Sequence, residues 1–211
     1  MHAPKCFVLG VMVLRGAITF PRVIVVTGTP GVGKSVCSHL LANRLSACHI
    51  ELGKLVKEKG LVLGFDSERA SAIADLGQLS VSLSAAIERA CCDCVVDGYL
   101  ASHVLDRSRV DIVYVLRCDP NELLLRLRER GFSESKAIEN AASEVLGVCL
   151  WEAVDRFGEE KVAEVDTSSR PPMRVVKEMV SILEGRSRCV VGRIDWLSTV
   201  SEQGLLEYFF R

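Results

Sequence analysis

The chain has 211 residues, 49% hydrophobic and 25% charged, and its 26 Lys and Arg against 27 Asp and Glu leave a net charge of −1. That composition is globular; it excludes disorder, collagen-like repeats and coiled coils, and gives no global field to draw the chain to nucleic acid or anionic lipid. The length fits about one large domain. No apolar run approaches the ~20 residues that span a bilayer, so we expect a cytoplasmic protein with no membrane partner and no direct DNA binding.

Nine cysteines is an odd number in a chain too long for a typical disulfide scaffold. Cys37, Cys94, Cys118, Cys149 and Cys189 sit in or beside apolar stretches, where a free thiol behaves as a small hydrophobe. We read a reducing compartment.

Residues 6–14 (CFVLGVMVL) have the length of a signal-peptide core, but Arg15 interrupts them and no small-x-small cleavage site follows. Residues 1–21 therefore read as an N-terminal extension. Residues 22–27 (RVIVVT) are a continuous β-branched run, the pattern of a strand buried on both faces. A Gly-rich turn follows, then a helix over 34–46 with Leu40, Leu41 and Leu45 on one side. Short strands are predicted at 48–52 and 94–96, the latter ending in Asp97, with an amphipathic helix over 76–92 between them. A fourth strand covers 110–116 (VDIVYVL). Asp119-Pro120-x-Glu122 supplies an N-cap, a proline at the first helical position and a capping-box partner for a helix running to Arg130. One long helix is predicted over 134–157, a fifth strand over 161–165 and a helix over 172–183. Strands alternating with helices mean an α/β fold, a five-stranded parallel sheet with helices on both faces. The tail, 186–211, is too apolar to be a free end and is expected to pack on the core.

Gly28-Thr29-Pro30-Gly31-Val32-Gly33-Lys34-Ser35 fits the P-loop pattern G-x-x-x-x-G-K-[ST], directly after a predicted strand and opening a helix, the context the motif requires. Glycines let backbone N–H groups curl around a phosphate, and the helix N-terminus adds positive potential. Lys34 then reaches the β/γ-phosphates and the Ser35 hydroxyl becomes a ligand for Mg2+. Asp97, ending an apolar strand, occupies the place of the carboxylate that sits near magnesium in such folds. No N/T-K-x-D guanine signature is present, which argues against a switch GTPase. Arg126, Arg128 and Arg130 precede Gly131; spacing puts Arg126 and Arg130 on one helix face, available to transferring phosphates, and Arg128 elsewhere.

The segments GTPGVGKS, ELGKLVKEKG, VVDGYL, VLRCDP, RERGFSESKAIEN and EVDTSSRPP follow one another in an order that resembles adenylate kinase isoenzyme six, the archaeal and eukaryotic nuclear branch of the adenylate kinases. The likeness covers residues 22–185, and GRIDWL at 192–197 resembles the archaeal members' tail. The resemblance implies a P-loop NTPase fold and reversible phosphotransfer from ATP to AMP or another nucleoside monophosphate, with a slower ATPase. It also implies a transient role in maturing the small ribosomal subunit, through a platform ribosomal protein of the pre-ribosomal particle. By position, Gly28, Gly31, Gly33, Lys34, Ser35 and Val36 hold the ATP phosphates, Arg130 is the lid arginine and Arg126 lies beside the adenine. A monophosphate-binding segment falls at 50–73, with Gly53 and Lys57, and a short lid at 129–139.

Two departures stand out. The family's Asp-x-His is Asp97-Gly98-Tyr99, which lacks the histidine that the resemblance ties to ATP hydrolysis and ribosome assembly, and its Gly-Asp-Leu-x-Arg is Gly53-Lys54-Leu55-Val56-Lys57. Lys57 keeps the charge but loses bidentate geometry. Cys91-Cys92-x-Cys94 offers three thiols where structural zinc needs four ligands, and Cys94 enters a buried strand, so packing is the better reading. An ATP-gated ribosome-assembly factor with little kinase activity is the competing function.

Overall fold

A strand made only of apolar residues has no face to give to water, so both faces have to be covered. The computed structural model describes residues 12–14, 17–19, 21–66 and 71–210, and it meets this demand with a layer of helices on each side of one sheet. The apolar stretch at 6–14 lies outside the described residues except where β1 (Met12–Leu14) pairs antiparallel with β2 (Ala17–Thr19). Then follow β3 (Val23–Thr27), α1 (Lys34–Leu45), β4 (Cys48–Glu51), α2 (Leu52–Lys59) and a hairpin of β5 (Val62–Asp66) and β6 (Ser71–Ala74). The chain continues through α3 (Leu76–Arg89), β7 (Cys94–Asp97), α4 (Ala101–Val104), β8 (Ile112–Arg117), α5 (Pro120–Glu129), α6 (Glu134–Val145) and α7 (Val148–Phe157). β9 (Val162–Asp166), α8 (Pro172–Leu183), α9 (Trp196–Glu202) and α10 (Leu206–Phe209) complete it.

The main sheet is five-stranded and parallel, in the order β4-β7-β3-β8-β9. β3 alternates its side chains between two cores, as a period of two requires. Ile24 and Val26 pack with α1, α5, α6 and α8. Val23 and Val25 pack with α2, α3 and α7. Val200 and Phe209 of the tail are buried in the first core, at 0% and 3% exposure. Because the crossover from β3 runs past β7 to β4 at the sheet edge, while β8 flanks β3 on the other side, a crevice opens at the carboxyl ends of β3 and β7, the switch point where α/β sheets bind ligands.

Four expectations need correction. The single helix over 134–157 is two, because Gly147 takes φ +64 and ends the first, an arrangement L side chains resist. Residue 52 starts a helix instead of ending a strand. Asp119 caps α5 by accepting from the amides of Asn121 and Glu122, but the capping box is not closed: the Asp119 amide donates to Ser168 Oγ, and Glu122 turns to Arg126 and Ser169. Cys189 is exposed, unlike Cys37, Cys94 and Cys118.

Candidate active site

The glycine loop runs from the end of β3 into α1. Gly28 has φ +136, and a Cβ there would stand 2.4 Å from the Leu116 carbonyl oxygen, so the loop leaves the sheet by a path open only to glycine. At the other end Gly33 caps α1 with no side-chain hydrogen bond. The amides of the helix's first turn thus face the crevice with no side-chain cap, the arrangement that receives an anion. Lys34 Nζ folds back to donate to the carbonyls of Gly28 and Thr29 at 2.7 and 2.9 Å. Burial pushes its pKa down, against the opposing pull of Cys149, Asp97 and Glu144. Ser35 and Val36 are exposed at the mouth.

Asp97 closes β7 and is 2% exposed, yet its Oδ2 has no hydrogen-bond partner. The nearest cation candidate is His49 Nε2, at 3.9 Å and likewise unpartnered. A buried carboxylate oxygen left in this state loses its hydration without recompense, which marks it as a group waiting for a ligand. Asp97, Lys34 and Ser35 line one cavity of about 290 Å³, whose other walls include Gly53, Val56, Lys57, Ala72, Ala74 and Tyr99. Lys57 and Lys34 are its cations.

A second cavity, about 310 Å³, is lined by other residues of the same loop and shares no wall residue with the first. Gly31, Gly33 and Val36 form one wall, and Arg126, Arg130 and Arg170 bring three guanidinium groups to it. Arg126 and Arg130, one helical turn apart, both reach this cavity, while Arg128 turns away to Glu134. Arg126 Nη2 donates to Glu122 Oε1 at 2.5 Å and to the Thr167 carbonyl at 3.1 Å. Cys37 also lines this cavity, and burial pushes its thiol up to about 11, away from the thiolate form that nucleophilic chemistry uses. Gly28 lies beneath the loop and lines neither cavity.

Several residues that brace the loop escape sequence reasoning. Thr29 Oγ1 donates to Glu144 Oε2 at 2.6 Å, and Arg117 Nε donates to Glu144 Oε1 at 2.6 Å. Arg117 Nη1 donates to Glu164 Oε1, also at 2.6 Å, and all three charged side chains are 3% exposed or less. Thr167 Oγ1 spans the carbonyls of Val32 and Arg117. One signal was available: Glu164 stands between Ala163 and Val165 in the buried run of β9 (VAEVD), and a charge buried on a two-faced strand has to be paired.

A phosphate loop between β3 and α1, a carboxylate ending the neighbouring strand and a parallel sheet in this order define an α/β P-loop NTPase. Residues 24–147 match the family model described as "AAA domain". A shikimate kinase structure from Bacteroides thetaiotaomicron shares the fold, with a TM-score of 0.53 at 17% identity over 77% of this chain and 98% of that one. Among curated proteins, a "Putative adenylate kinase" of Natronomonas pharaonis is 37% identical over 173 residues, covering 82% of this chain and 96% of the relative. One from Methanothermobacter thermautotrophicus is 41% identical, with the same two coverages. The chain belongs to this family of archaeal adenylate kinase-like proteins.

Proposed function

We propose that the protein is a nucleoside monophosphate kinase of the isoenzyme-six branch, acting in the cytoplasm and converting ATP and AMP to two ADP. The observation that carries this reading is the pair of separate cavities that one phosphate loop and the start of its helix help to line. A hydrolase needs one nucleotide pocket; a transfer between two nucleotides needs two that meet at the phosphates. The names of the relatives agree with it.

In this reading ATP lies against Gly31, Gly33 and Val36, with its base beside Arg126 and its phosphates facing Lys34 and Arg130. The acceptor lies in the other cavity between Gly53 and Lys57, within the 50–73 segment, and residues 129–139 act as the lid. An oxygen of the acceptor phosphate attacks the γ-phosphorus in line, the bond to the bridging oxygen breaks, and ADP leaves with the electron pair. No protein nucleophile is required. Lys34 and Arg130 neutralise the charge of the transferring group, and lid closure excludes water. The orphaned oxygen of Asp97, in a cavity it shares with Ser35, fits Mg2+, a hard cation that takes oxygen ligands. Asp97 and Ser35 would hold it; when bound it supplies charge neutralisation on the phosphates.

The second reading, an ATP-gated assembly factor for the small ribosomal subunit, draws support from the acceptor cavity. Lys57 is its lone cation beyond Lys34, a point charge where a bidentate guanidinium would grip a monophosphate better. Tyr99, half-exposed on the same wall, stands where the branch has histidine.

ADP formation from Mg·ATP, with and without AMP, for the wild type and for Lys34→Met, separates the two. We expect AMP-dependent turnover that the substitution lowers by about two to three orders of magnitude, the usual loss when a positioned charge-stabilising group is removed. Slow ADP release that AMP does not accelerate refutes the kinase and leaves the assembly factor.

A further inference from the structure

The C-terminal tail reaches the turn that carries Arg130. Arg128, in the last turn of α5, donates through Nε and Nη2 to both carboxylate oxygens of Glu134, the first residue of α6, at 2.9 and 2.5 Å. These two residues flank the tight turn at Gly131, and Arg130 projects from that turn into the cavity with three guanidiniums. Tyr208 of α10 completes a triangle across it: its hydroxyl accepts from Arg128 Nη2 at 2.8 Å and donates to Glu134 Oε1 at 3.1 Å. The phenol is held from behind. Phe209 is 3% exposed in the core shared with α5 and α6, and its ring meets that of Tyr208 edge-on at 5.3 Å. A second tie, from Asn121 Nδ2 to Gln203 Oε1 at 3.2 Å, fixes the first turn of α5 to the end of α9.

The triangle itself is exposed, with Arg128 and Glu134 side chains at 42% and 55%. Contacts of this kind contribute little to stability. What they can do is restrict geometry. A cation that has to meet a developing phosphoryl charge loses effectiveness when misplaced by about 1 Å, and between Arg128 and Lys136 the turn bearing Arg130 has no fully buried residue and is held to the core by the half-buried Phe132.

We propose that Tyr208 is a positioning residue: acting through Arg128 and Glu134, the tail sets the neck of the lid so that Arg130 faces the donor phosphates before ATP arrives. This rests on the reading of Arg130 as the phosphate-facing lid arginine. The strap touches the donor side alone; the acceptor cavity shares none of these residues.

The test is Tyr208→Phe, which removes one oxygen and leaves the ring and its Phe209 anchor. Amide hydrogen exchange of residues 129–134 in the ligand-free protein is expected to quicken several-fold. KM for ATP is expected to rise by about three- to tenfold, the scale of one ordinary net hydrogen bond, while KM for AMP and the melting temperature stay put. Glu134→Gln should give the same pattern, and combining it with Tyr208→Phe should add little, since both break one network. Unchanged exchange at 129–134 overturns the strap whatever the kinetics. Faster exchange without an ATP-selective change overturns the positioning role. Faster exchange in a protein that does not phosphorylate AMP upholds the strap and removes the kinase reading instead.

Discussion

Arg117→Met tests the buried charge network on which the P-loop rests. Arg117 is 3% exposed and makes three hydrogen bonds, to Glu144 Oε1, Glu164 Oε1 and the Glu144 carbonyl. The substitution keeps much of the volume and removes the one cation between two carboxylates that are each 1% exposed or less. The remaining donors do not replace it: Glu144 keeps the Thr29 hydroxyl and the Cys118 amide, and Glu164 keeps the Arg193 amide, all neutral. Removing one partner of a buried pair costs about 3–5 kcal/mol, because the other is left uncompensated. Against a total stability of about 5–15 kcal/mol that is a large share, and at about 2–4 °C per kcal/mol for this size it corresponds to a melting temperature lowered by roughly 6–20 °C. The assay is urea and thermal unfolding by circular dichroism, with Arg107→Met as the control. Arg107 pairs with Glu160 at the surface, both more than half exposed, and its loss should leave the melting temperature within error. If Arg117→Met unfolds like the control, with a loss below about 1 kcal/mol, the network is not carrying buried charge and the reasoning is wrong.

Thr29→Val removes the hydroxyl that Glu144 Oε2 accepts and is expected to cost about 1.5–3 kcal/mol, the range for a hydrogen bond to a charged group. Thr29→Ser, which restores the donor, should recover most of it; equal losses for both would show that packing, not the bond, matters. A pH dependence follows from Glu122. Burial raises its pKa, but the Ser169 amide, the Arg126 hydrogen bond and charge, and the Ser169 hydroxyl outweigh it and hold the carboxyl below the ordinary range. A depressed folded-state pKa stabilises above the unfolded value of about 4.3 and is lost as pH falls through the folded one. The urea midpoints of wild type and Glu122→Gln should therefore differ at pH 7 and converge below about pH 4. A gap that stays constant with pH counts against this account.

Where the sequence was legible, a local physical rule sufficed. β-branched runs with no polar face read as central parallel strands, and β3 and β8 are buried along their whole length. The P-loop spelled its own context, since glycine, lysine and serine at fixed spacing only cradle a phosphate between a strand and a helix. Local reasoning failed where the deciding contact was remote in sequence. Glu122 sits at capping-box spacing, yet the loop after β9 offers it the Ser169 amide, 47 residues away. Glu144 reads as one more helix charge until Thr29, 115 residues away, is laid against it. Helix periodicity carried 134–157 through Gly147 because a single glycine inside an apolar pattern is a weak stop; the φ of +64 that ends the helix belongs to the fold.

The same residues hold the fold together and shape the site, and this limits how variants can be interpreted. Glu144 belongs to α6, whose first residue, Glu134, forms one corner of the triangle at Gly131, while Glu144 itself braces the P-loop through Thr29. A variant that melts α6 would therefore disturb both ends at once and look like a catalytic defect. Changes of one atom escape this confusion. Thr29→Val acts at the loop end, and Tyr208→Phe acts at the turn, where little is buried to destabilise. If the two affect turnover independently, the loop and the turn are separately positioned; if the double variant falls short of their sum, α6 transmits strain between them, since only sites that share a partner or a rigid element couple.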